Sequence, residues 1–406
     1  MSLGKIVVIG GELSSSTFVR WYRVFDQKRE ILMISETKYP GFYRMSLPLI
    51  VSEIIEAKDA LAYTTSYLSL FCDLNYISSI SNMKISDNKV ETDEGKEFRY
   101  AKLLLSCGTC PSVQGFFLGK VEDAIKLRDV INEKKTIRVY GGLLGLWAGE
   151  VFSSRGYKAE VFVEPGYNRE YFDDDLWNLA LKKADHKFRI TTKKGCDKSL
   201  EVVYGYERAK LPKLRVNLLL NGGVLVDSTM RASKNVYAVG PVSRPRDEIM
   251  GCSFTPLSDE IAESQGIIAA LSVFGRDTKG VIPCLSFRLG KIYLFSAGYT
   301  KHKAESLGIK VVNTRMTIPL KDSNSDISKV VIKAIGDRER GKLVGVQIMG
   351  PYDALLLGHY AYSLILLGGT LDSLISIPSS YMYEKFFNMN PVIKSVYAIW
   401  RKSLEF

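Results

Sequence analysis

The sequence predicts an α/β protein with two tandem doubly wound units. Three observations predict it. Residues 5–36 read as strand, glycine turn, helix, strand and terminal acid, and the same order recurs between Thr136 and Glu164. The composition, 46% apolar and 24% charged, is that of a globular chain and excludes a disordered or fibrous one. At about 100–200 residues per domain, a chain of 406 residues holds two to four domains with ample core.

Lys5-Ile6-Val7-Val8-Ile9 is a short apolar run without alternation, as expected of a strand buried on both faces of a parallel sheet, and it ends on Gly10-Gly11. Residues 14–28 are predicted helical, with Phe18, Val19, Tyr22 and Phe25 on one stripe. Residues 30–35 return as a strand that stops at Glu36, 26 residues beyond Gly10. A dinucleotide-binding unit needs that order: amides at the helix start hold a pyrophosphate, and the acid accepts from a ribose hydroxyl. Gly10, Gly11, Ser14, Ser15 and Glu36 are therefore the candidate ligand residues of this unit. The fingerprint G-x-G-x-x-G is altered here, reading Gly10, Glu12, Ser15. Serine suits a position that needs only a small side chain. Glu12 brings bulk and negative charge to the place where backbone approaches phosphate. A doubly wound sheet that binds no nucleotide at this turn is the competing reading.

Residues 136–140 form a second short strand, followed by Gly141-Gly142-Leu143-Leu144-Gly145, a helix running to Arg155, and Gly156 as its end. A strand over 158–163 then stops at Glu164. With an offset of 130 the copies superpose, so that Gly10 falls on Tyr140, Gly11 on Gly141 and Ser15 on Gly145. On this register the second copy keeps the middle and last glycines and loses the first to Tyr140. Gly141, Gly142, Leu144 and Gly145 are its candidate phosphate-turn residues. Glu164, 19 residues past Gly145, is placed for the 2′-hydroxyl of NAD, and no arginine directly follows it to favour a 2′-phosphate. Each fingerprint alone is weak; two in tandem, each with its acid, carry more.

Lysine and arginine number 55 against 44 acids, a net charge of +11, and residues 281–406 hold +7 of it. The lysines are scattered singly without interleaved aromatics, which speaks against a nucleic-acid surface. Six irregularly spaced cysteines do not make a secreted disulfide framework. Cys107-Gly108-Thr109-Cys110 has the spacing of a redox pair, yet no basic residue or histidine flanks it to lower a thiol pKa. The alternative is two chance cysteines at a strand end. Cys72, Cys196, Cys252 and Cys284 have no patterned neighbours, and His186, His302 and His359 lack ligand spacing, so neither a metal site nor a Ser-His-Asp triad is expected. Asp173-Asp174-Asp175 reads as a helix start, with acids at the positive dipole end, ahead of a cation site. The longest apolar stretch, 354–371, carries His359 and paired glycines and is read as a buried helix rather than a membrane span. Gly10 and Gly11 interrupt the first apolar run, so no leader-like segment is recognised. A soluble, cytoplasmic protein with neither nucleic-acid nor membrane partners is expected.

With these motifs in place, the chain resembles the FAD-dependent pyridine nucleotide-disulfide oxidoreductase family. It is most similar to the single-flavin branch of coenzyme A-disulfide reductases, NADH oxidases, rubredoxin reductases and nitrite reductases. The similarity runs over essentially the whole chain. Tyr39-Pro40-Gly41-Phe42-Tyr43-Arg44-Met45-Ser46-Leu47-Pro48 resembles the loop beneath the flavin, and 98–109 the strand that family members end Ala-Thr-Gly. Residues 221–227 and 234–240 resemble the return into the flavin domain, 261–266 the helix that follows, and 388–402 the closing helix of the interface domain. In that last helix Asn390 is placed as cap, Pro391 at the first helical position, and Val392, Val396 and Trp400 on one face.

The resemblance implies an FAD-binding-type domain split between 1–108 and 232–280, an inserted NAD-binding-type domain at 109–231, and an interface domain at 281–406. That is two tandem Rossmann-like domains and a C-terminal α+β dimerisation domain. It implies FAD and NADH as cofactors, hydride passing from NADH to the flavin, and Arg44, Gly108, Gly240 and Pro241 as further cofactor-contacting positions. Four features depart from the family: Glu12, Ser106-Cys107, Pro241 where an Asp holds a ribityl hydroxyl, and Trp147 where Glu is usual. Glu12 and Pro241 weigh against tight FAD binding. Met45 stands where disulfide-reducing relatives carry a nucleophilic cysteine, and a thioether forms no mixed disulfide. Electrons would then leave to a protein or small acceptor, and no side chain is assigned a catalytic role. The apolar face of the closing helix and the interface-domain resemblance imply a homodimer through 281–406, and the basic excess there suits a small acidic electron carrier. A non-catalytic, flavin-poor member with an assembly role is the alternative.

Overall fold

The computed structural model describes residues 4–404 except 87, 93, 132–135, 194–198, 206, 215–221, 277, 320–328 and 384–385. Cys196 and Asn221, named above, lie outside the described residues. The chain divides into two compact units, one of residues 1–164, 188–247 and 251–281, the other of 165–187, 248–250 and 282–406.

The first unit holds two parallel sheets of Rossmann type. In the first, β1 (Ile6–Ile9) pairs in parallel with β2 (Ile31–Ser35) on one side and with Lys102–Leu105 on the other. Asp73–Tyr76 extends it beyond β2, Val236–Ala238 extends the other side, and Arg231–Ser233 closes that edge antiparallel. Every residue of β1 and β2 is buried, as apolar runs without alternation require. Helix α1 (Leu13–Phe25) packs against helix Asp259–Phe274. Gly266 permits the close approach, because a Cβ there would collide with the Ser14 carbonyl. The strand expected over 98–109 is broken: Glu97–Arg99 pairs with Lys89–Glu91 in a small antiparallel sheet, and only Lys102–Leu105 enters the main one. The Ala101 amide bonds the Lys5 carbonyl at 2.8 Å and redirects the chain between them.

The second sheet runs Arg189–Thr191, Lys158–Phe162, Thr136–Tyr140, Leu200–Val203 and Phe116–Phe117 in spatial order, parallel throughout. Helix Gly142–Ser154 packs on its central strands, where Gly149 leaves room for Val161 and Phe188.

The second unit is built on a five-stranded antiparallel sheet ordered Cys284–Leu289, Ile292–Gly298, Lys342–Gly350, Lys329–Asp337 and Val311–Pro319. Helices Asp353–Leu366 and Pro391–Leu404 pack on it. Asn390 Oδ1 accepts from the Val392 amide at 2.9 Å, the expected cap. The reasoning about that helix's apolar face needs correction. Val392, Ile393, Val396 and Ile399 are buried within their own unit, and Trp400 Nε1 donates to Asp372 at 2.7 Å. The face is covered by the chain itself and gives no reason for a second copy.

Helix Asp174–Ala184 also belongs to the second unit, although the strands on either side of it in sequence lie in the first. It starts at the acid run, as expected, with Asp173 at the N-cap position but its carboxylate making no cap bond to the helix. Its carboxylate accepts instead from the amides of Lys301 and His302 at 3.0 and 3.2 Å, opening helix Lys301–Ser306. Lys333 Nζ lies 3.1 Å from Asp173 and 2.6 Å from Asp175. Among the described residues, no group of His, Cys, Asp and Glu is arranged to hold a metal ion, and no helix is long and apolar enough to cross a membrane.

Candidate functional site

The site grows from the end of β1. The Gly10 amide donates to the Ile34 carbonyl at 2.8 Å while its φ of +115° turns the chain sharply. A Cβ at Gly10 would collide with the Ser106 carbonyl, so that glycine is a steric necessity, and one at Gly11 would press on the Ser35 side chain. Helix α1 follows with Glu12 as its N-cap residue. The two candidate serines are spent on the frame: Ser14 Oγ shares a hydrogen bond with Ser106 Oγ at 2.9 Å, and Ser15 Oγ donates to the Glu12 carbonyl at 2.7 Å.

Strand pairing fixes the register of the repeat. The Ile9 carbonyl accepts from Ser106 at 2.7 Å, and the Tyr140 carbonyl accepts from Tyr204 at 2.9 Å. Gly141 therefore matches Gly10, and a Cβ on it would collide with the Tyr204 carbonyl in the same way. The offset at the turn is 131 rather than 130, and the first glycine survives at Gly141 instead of being lost to Tyr140. Tyr140 ends the strand with its hydroxyl donating to Glu201 Oε1 at 3.0 Å. Gly142 faces open space, Leu144 abuts Gly205, Gly145 sits on Val161, and Glu164 is exposed just beyond the next strand. These residues stay apart from the cavity of the first copy.

That cavity, about 260 Å³, opens beside the first turn and is lined by Gly10, Gly11, Glu12, Glu36, Ile80, Ser106, Cys107, Phe117, Lys120 and Lys210, with several neighbours. Glu36, expected to meet a ribose, has partners of its own: Oε1 accepts from the Ile80 amide and Oε2 pairs with Lys210. Lys120 Nζ donates to the Glu36 carbonyl at 3.2 Å. Gly108, at φ +68°, accepts from the Lys210 amide at 2.9 Å, and a Cβ on it would run into the Glu12 carboxylate. Burial pushes the Glu12 carboxyl up to about 7, against the pull of the Arg44 guanidinium.

Where the resemblance puts the flavin, the chain's own side chains meet. Arg44 pairs with Glu207, which also accepts from Thr109 Oγ1. The Tyr204 hydroxyl donates to the Arg44 carbonyl at 2.8 Å, and the guanidinium lies 5.6 Å from the centre of the Tyr204 ring. Asp259 accepts from the Arg44 and Met45 amides, each at 3.0 Å, and burial raises its carboxyl to about 6. Trp147 Nε1 donates to the Met45 carbonyl at 2.8 Å, tying the loop to the second sheet's helix. Gly240 donates to Gln265 Oε1 at 2.7 Å, and the Pro241 carbonyl accepts from Arg244 at 2.8 Å. The residues lining the cavity thus suit the adenosine end of a dinucleotide, while Arg44, Glu207 and Tyr204, outside that lining, bond one another.

Cys107 is buried with Sγ 3.7 Å from the Ile9 carbonyl; burial, then the charges of Glu12 and Glu36, raises its thiol far above the ordinary range. None of the five described cysteines is joined in a disulfide. The sequence reading missed Lys120, Tyr204, Glu207, Lys210 and Asp259. Ser258-Asp259-Glu260 before an apolar run is a helix-start signature that marks Asp259. Glu207 and Lys210 carry no such local signal, because the antiparallel pairing of Thr109–Pro111 with Glu207–Ala209 brings them in from afar.

No family model matches the chain. It is 24% identical over 422 residues to an NADH oxidase of Streptococcus pneumoniae serotype 4, an alignment covering 89% of this chain and 92% of that protein. A rubredoxin-NAD(+) reductase of Pseudomonas putida is 23% identical over 315 residues, covering 68% and 82%. The solved structure of a water-forming NADH oxidase from Lactobacillus brevis bound to NADH superposes with a TM-score of 0.83 at 16% identity, covering 98% of this chain and 99% of that one. Sequence relatives named as oxidoreductases and the shared fold agree with the resemblance to the pyridine nucleotide-disulfide oxidoreductase family.

Proposed function

We propose that the chain is an NAD(P)H-dependent oxidoreductase that takes electrons from NADH by way of FAD to a protein or small acceptor, without an active-site cysteine. The observation that carries this reading is the pair of glycine turns at Gly10 and Gly141, each pressed on a neighbouring strand's carbonyl within one compact unit. Residues 1–108 and 232–280 are the flavin-type domain on this reading, 109–231 the NAD-type domain and 281–406 the interface domain. The Gly10–Gly11 turn and Glu36 hold the adenosine half of FAD, while Gly141, Gly142, Leu144, Gly145 and Glu164 face NADH. Bound flavin supplies the hydride acceptor; the protein supplies orientation and electrostatics. Asp259 and Trp147 fix the backbone of Arg44 and Met45, and the Met45 thioether offers no thiolate beneath the ring. The Arg44–Glu207 pair must part to admit that ring. A homodimer through 281–406, which rests on the interface-domain resemblance and not on the covered face of the closing helix, with its net +7 steering a small acidic electron carrier, completes the reading.

The same ion pair favours a second reading, a flavin-poor member with an assembly role. A visible spectrum of the purified chain, repeated after adding FAD and then NADH, separates the two. A yellow chromophore bleached by NADH is the expected result. A protein that stays colourless after equilibration with FAD selects the second reading.

A further inference from the structure

The parallel strands of the first sheet begin at the end opposite the Gly10 turn, and the chain brings cations to that end. Arg29 precedes β2, Lys102 opens Lys102–Leu105, and Lys234 precedes Val236–Ala238. Parallel pairing sets these positions side by side. Arg231 joins them from the edge strand, with Lys102 and Arg231 lying 5.8 and 5.7 Å from the centre of the Tyr237 ring. The hydrogen-bond acceptors of these groups are neutral. Arg29 donates to the Gly4 carbonyl, Lys102 to the Lys234 carbonyl and Asn235 Oδ1, and Arg231 to Ser272 Oγ. Burial, then the charges of Arg231, Arg29 and Lys234, lowers the pKa of Lys102. The acids nearest in sequence are engaged, Glu30 with Lys5 at 3.2 Å and Asp26 with the Lys28 and Arg29 amides. Like charges held together oppose folding unless something of opposite sign meets them.

An apolar patch adjoins the cations. Helix α1 runs back between β1 and β2, so its last turn reaches the same end. Trp21, Val24 and Phe25 stand there at i, i+3 and i+4, with Val24 56% exposed. The Phe25 ring stacks at 5.0 Å on Phe274, which is 42% exposed at the end of helix Asp259–Phe274. Arg276 lies over both rings, 5.4 and 6.0 Å from their centres. The bond from Arg231 to Ser272, two residues before Phe274, ties the cations to this patch. Phe25 and Phe274 are engaged with each other and with Arg276 rather than offered flat, which disfavours the stacking of nucleic-acid bases. Apolar rings level with guanidinium and ammonium groups match the boundary between lipid headgroups and acyl chains.

We propose that this end of the first unit is a docking surface for an anionic lipid bilayer, on which the chain lies without spanning it. Arg29, Lys102, Arg231 and Lys234 meet the headgroups, while Trp21, Val24 and Phe274 enter the apolar boundary. Such a surface needs no helix long enough to cross the membrane. It revises the expectation, drawn from the lack of a spanning segment, that the chain has no membrane partner.

The test is co-sedimentation of the full-length protein with vesicles of phosphatidylcholine alone and of phosphatidylcholine mixed equally with phosphatidylglycerol. The protein pellets with the anionic vesicles only, and less so in rising sodium chloride. Arg231→Gln together with Lys234→Gln weakens binding about 25-fold, at about fivefold per cation. Lys329→Gln together with Lys394→Gln, exposed positions in the basic second unit, leaves binding unchanged. Trp21 emission shifts to the blue on anionic vesicles, and Trp21→Phe removes that shift. Binding to neither vesicle, or equally to both, overturns the inference. So does loss of binding in the second-unit pair while the Arg231 and Lys234 pair binds as the parent does. A protein that ignores both vesicles but binds poly-glutamate overturns it in favour of an acidic polypeptide partner. None of these outcomes bears on the cofactor reading, which the FAD titration tests separately.

Discussion

The guanidinium of Arg44 meets the carboxylate of Glu207 in an ion pair whose side chains are only 11% and 3% exposed. Arg44 lies in the helical turn Arg44–Ser46 and Glu207 in the strand Glu207–Ala209, so the contact joins segments distant in sequence within the first unit. Breaking a buried pair leaves an uncompensated charge, which costs about 3–5 kcal/mol. Glu207→Gln is expected to lower stability by that order, read as a lower urea midpoint at unchanged slope. A midpoint equal to the parent's would show that the pair contributes nothing.

Glu12 gives a pH dependence whose sign follows from its environment. Its carboxyl is raised from 4.5 to about 7 in the folded chain, so folding favours the protonated form. Its contribution is fully present below pH 4.5 and is lost as pH rises toward 7. Glu12→Gln should therefore stabilise the protein at pH 8, by up to about 3 kcal/mol, and do little at pH 4.5. Unfolding curves at the two pH values check it; an equal shift at both contradicts the assignment.

Lys333 lies between two acids, its side chain 5% exposed beside Asp173 at 8%. Lys333→Ala leaves Asp173 buried without its cation and should cost about 3–5 kcal/mol in the second unit. Faster amide exchange across 174–184 in the variant would report where the loss falls, and unchanged exchange there would speak against the tether.

On the proposed reading, Glu164, the acid just beyond Lys158–Phe162 and Val163, sets the preference between the two nicotinamide nucleotides. Glu164 in contact with an adenosine ribose repels a 2′-phosphate, so NADH should bind tighter than NADPH, and Glu164→Arg should reverse the order. Calorimetry with both nucleotides on both proteins decides it.

Much of this architecture is legible in the sequence, because the signals are local. Apolar runs ending on glycine predicted β1 and Thr136–Tyr140, and Asn390-Pro391 predicted the start of the last helix. The register of the repeat was off by one, because glycine spacing along the chain does not reveal which residue last pairs with its neighbouring strand. The Ser106 and Tyr204 amides settle that, and both come from distant strands. Gly10 and Glu36 were found for the same local reasons, while Glu207 and Lys210 lie 98 and 174 residues from the Thr109 and Glu36 they bond. Periodicity cannot report such pairs. The closing helix shows the opposite failure: its apolar stripe was read correctly, but a stripe does not say what covers it.

The tie between Lys333 and Asp175 spans 158 residues of chain. During synthesis the helix Asp174–Ala184 leaves the ribosome long before the sheet that buries Leu176, Trp177 and Ala180 exists. At about 5–20 residues per second the delay is on the order of ten seconds. Through that interval the helix has an uncovered apolar stripe, and the second unit can only close after translation has passed it by. Its assembly is then a long loop closure, slow by topology, with the early helix the segment most exposed to chaperones and to misassociation while it waits.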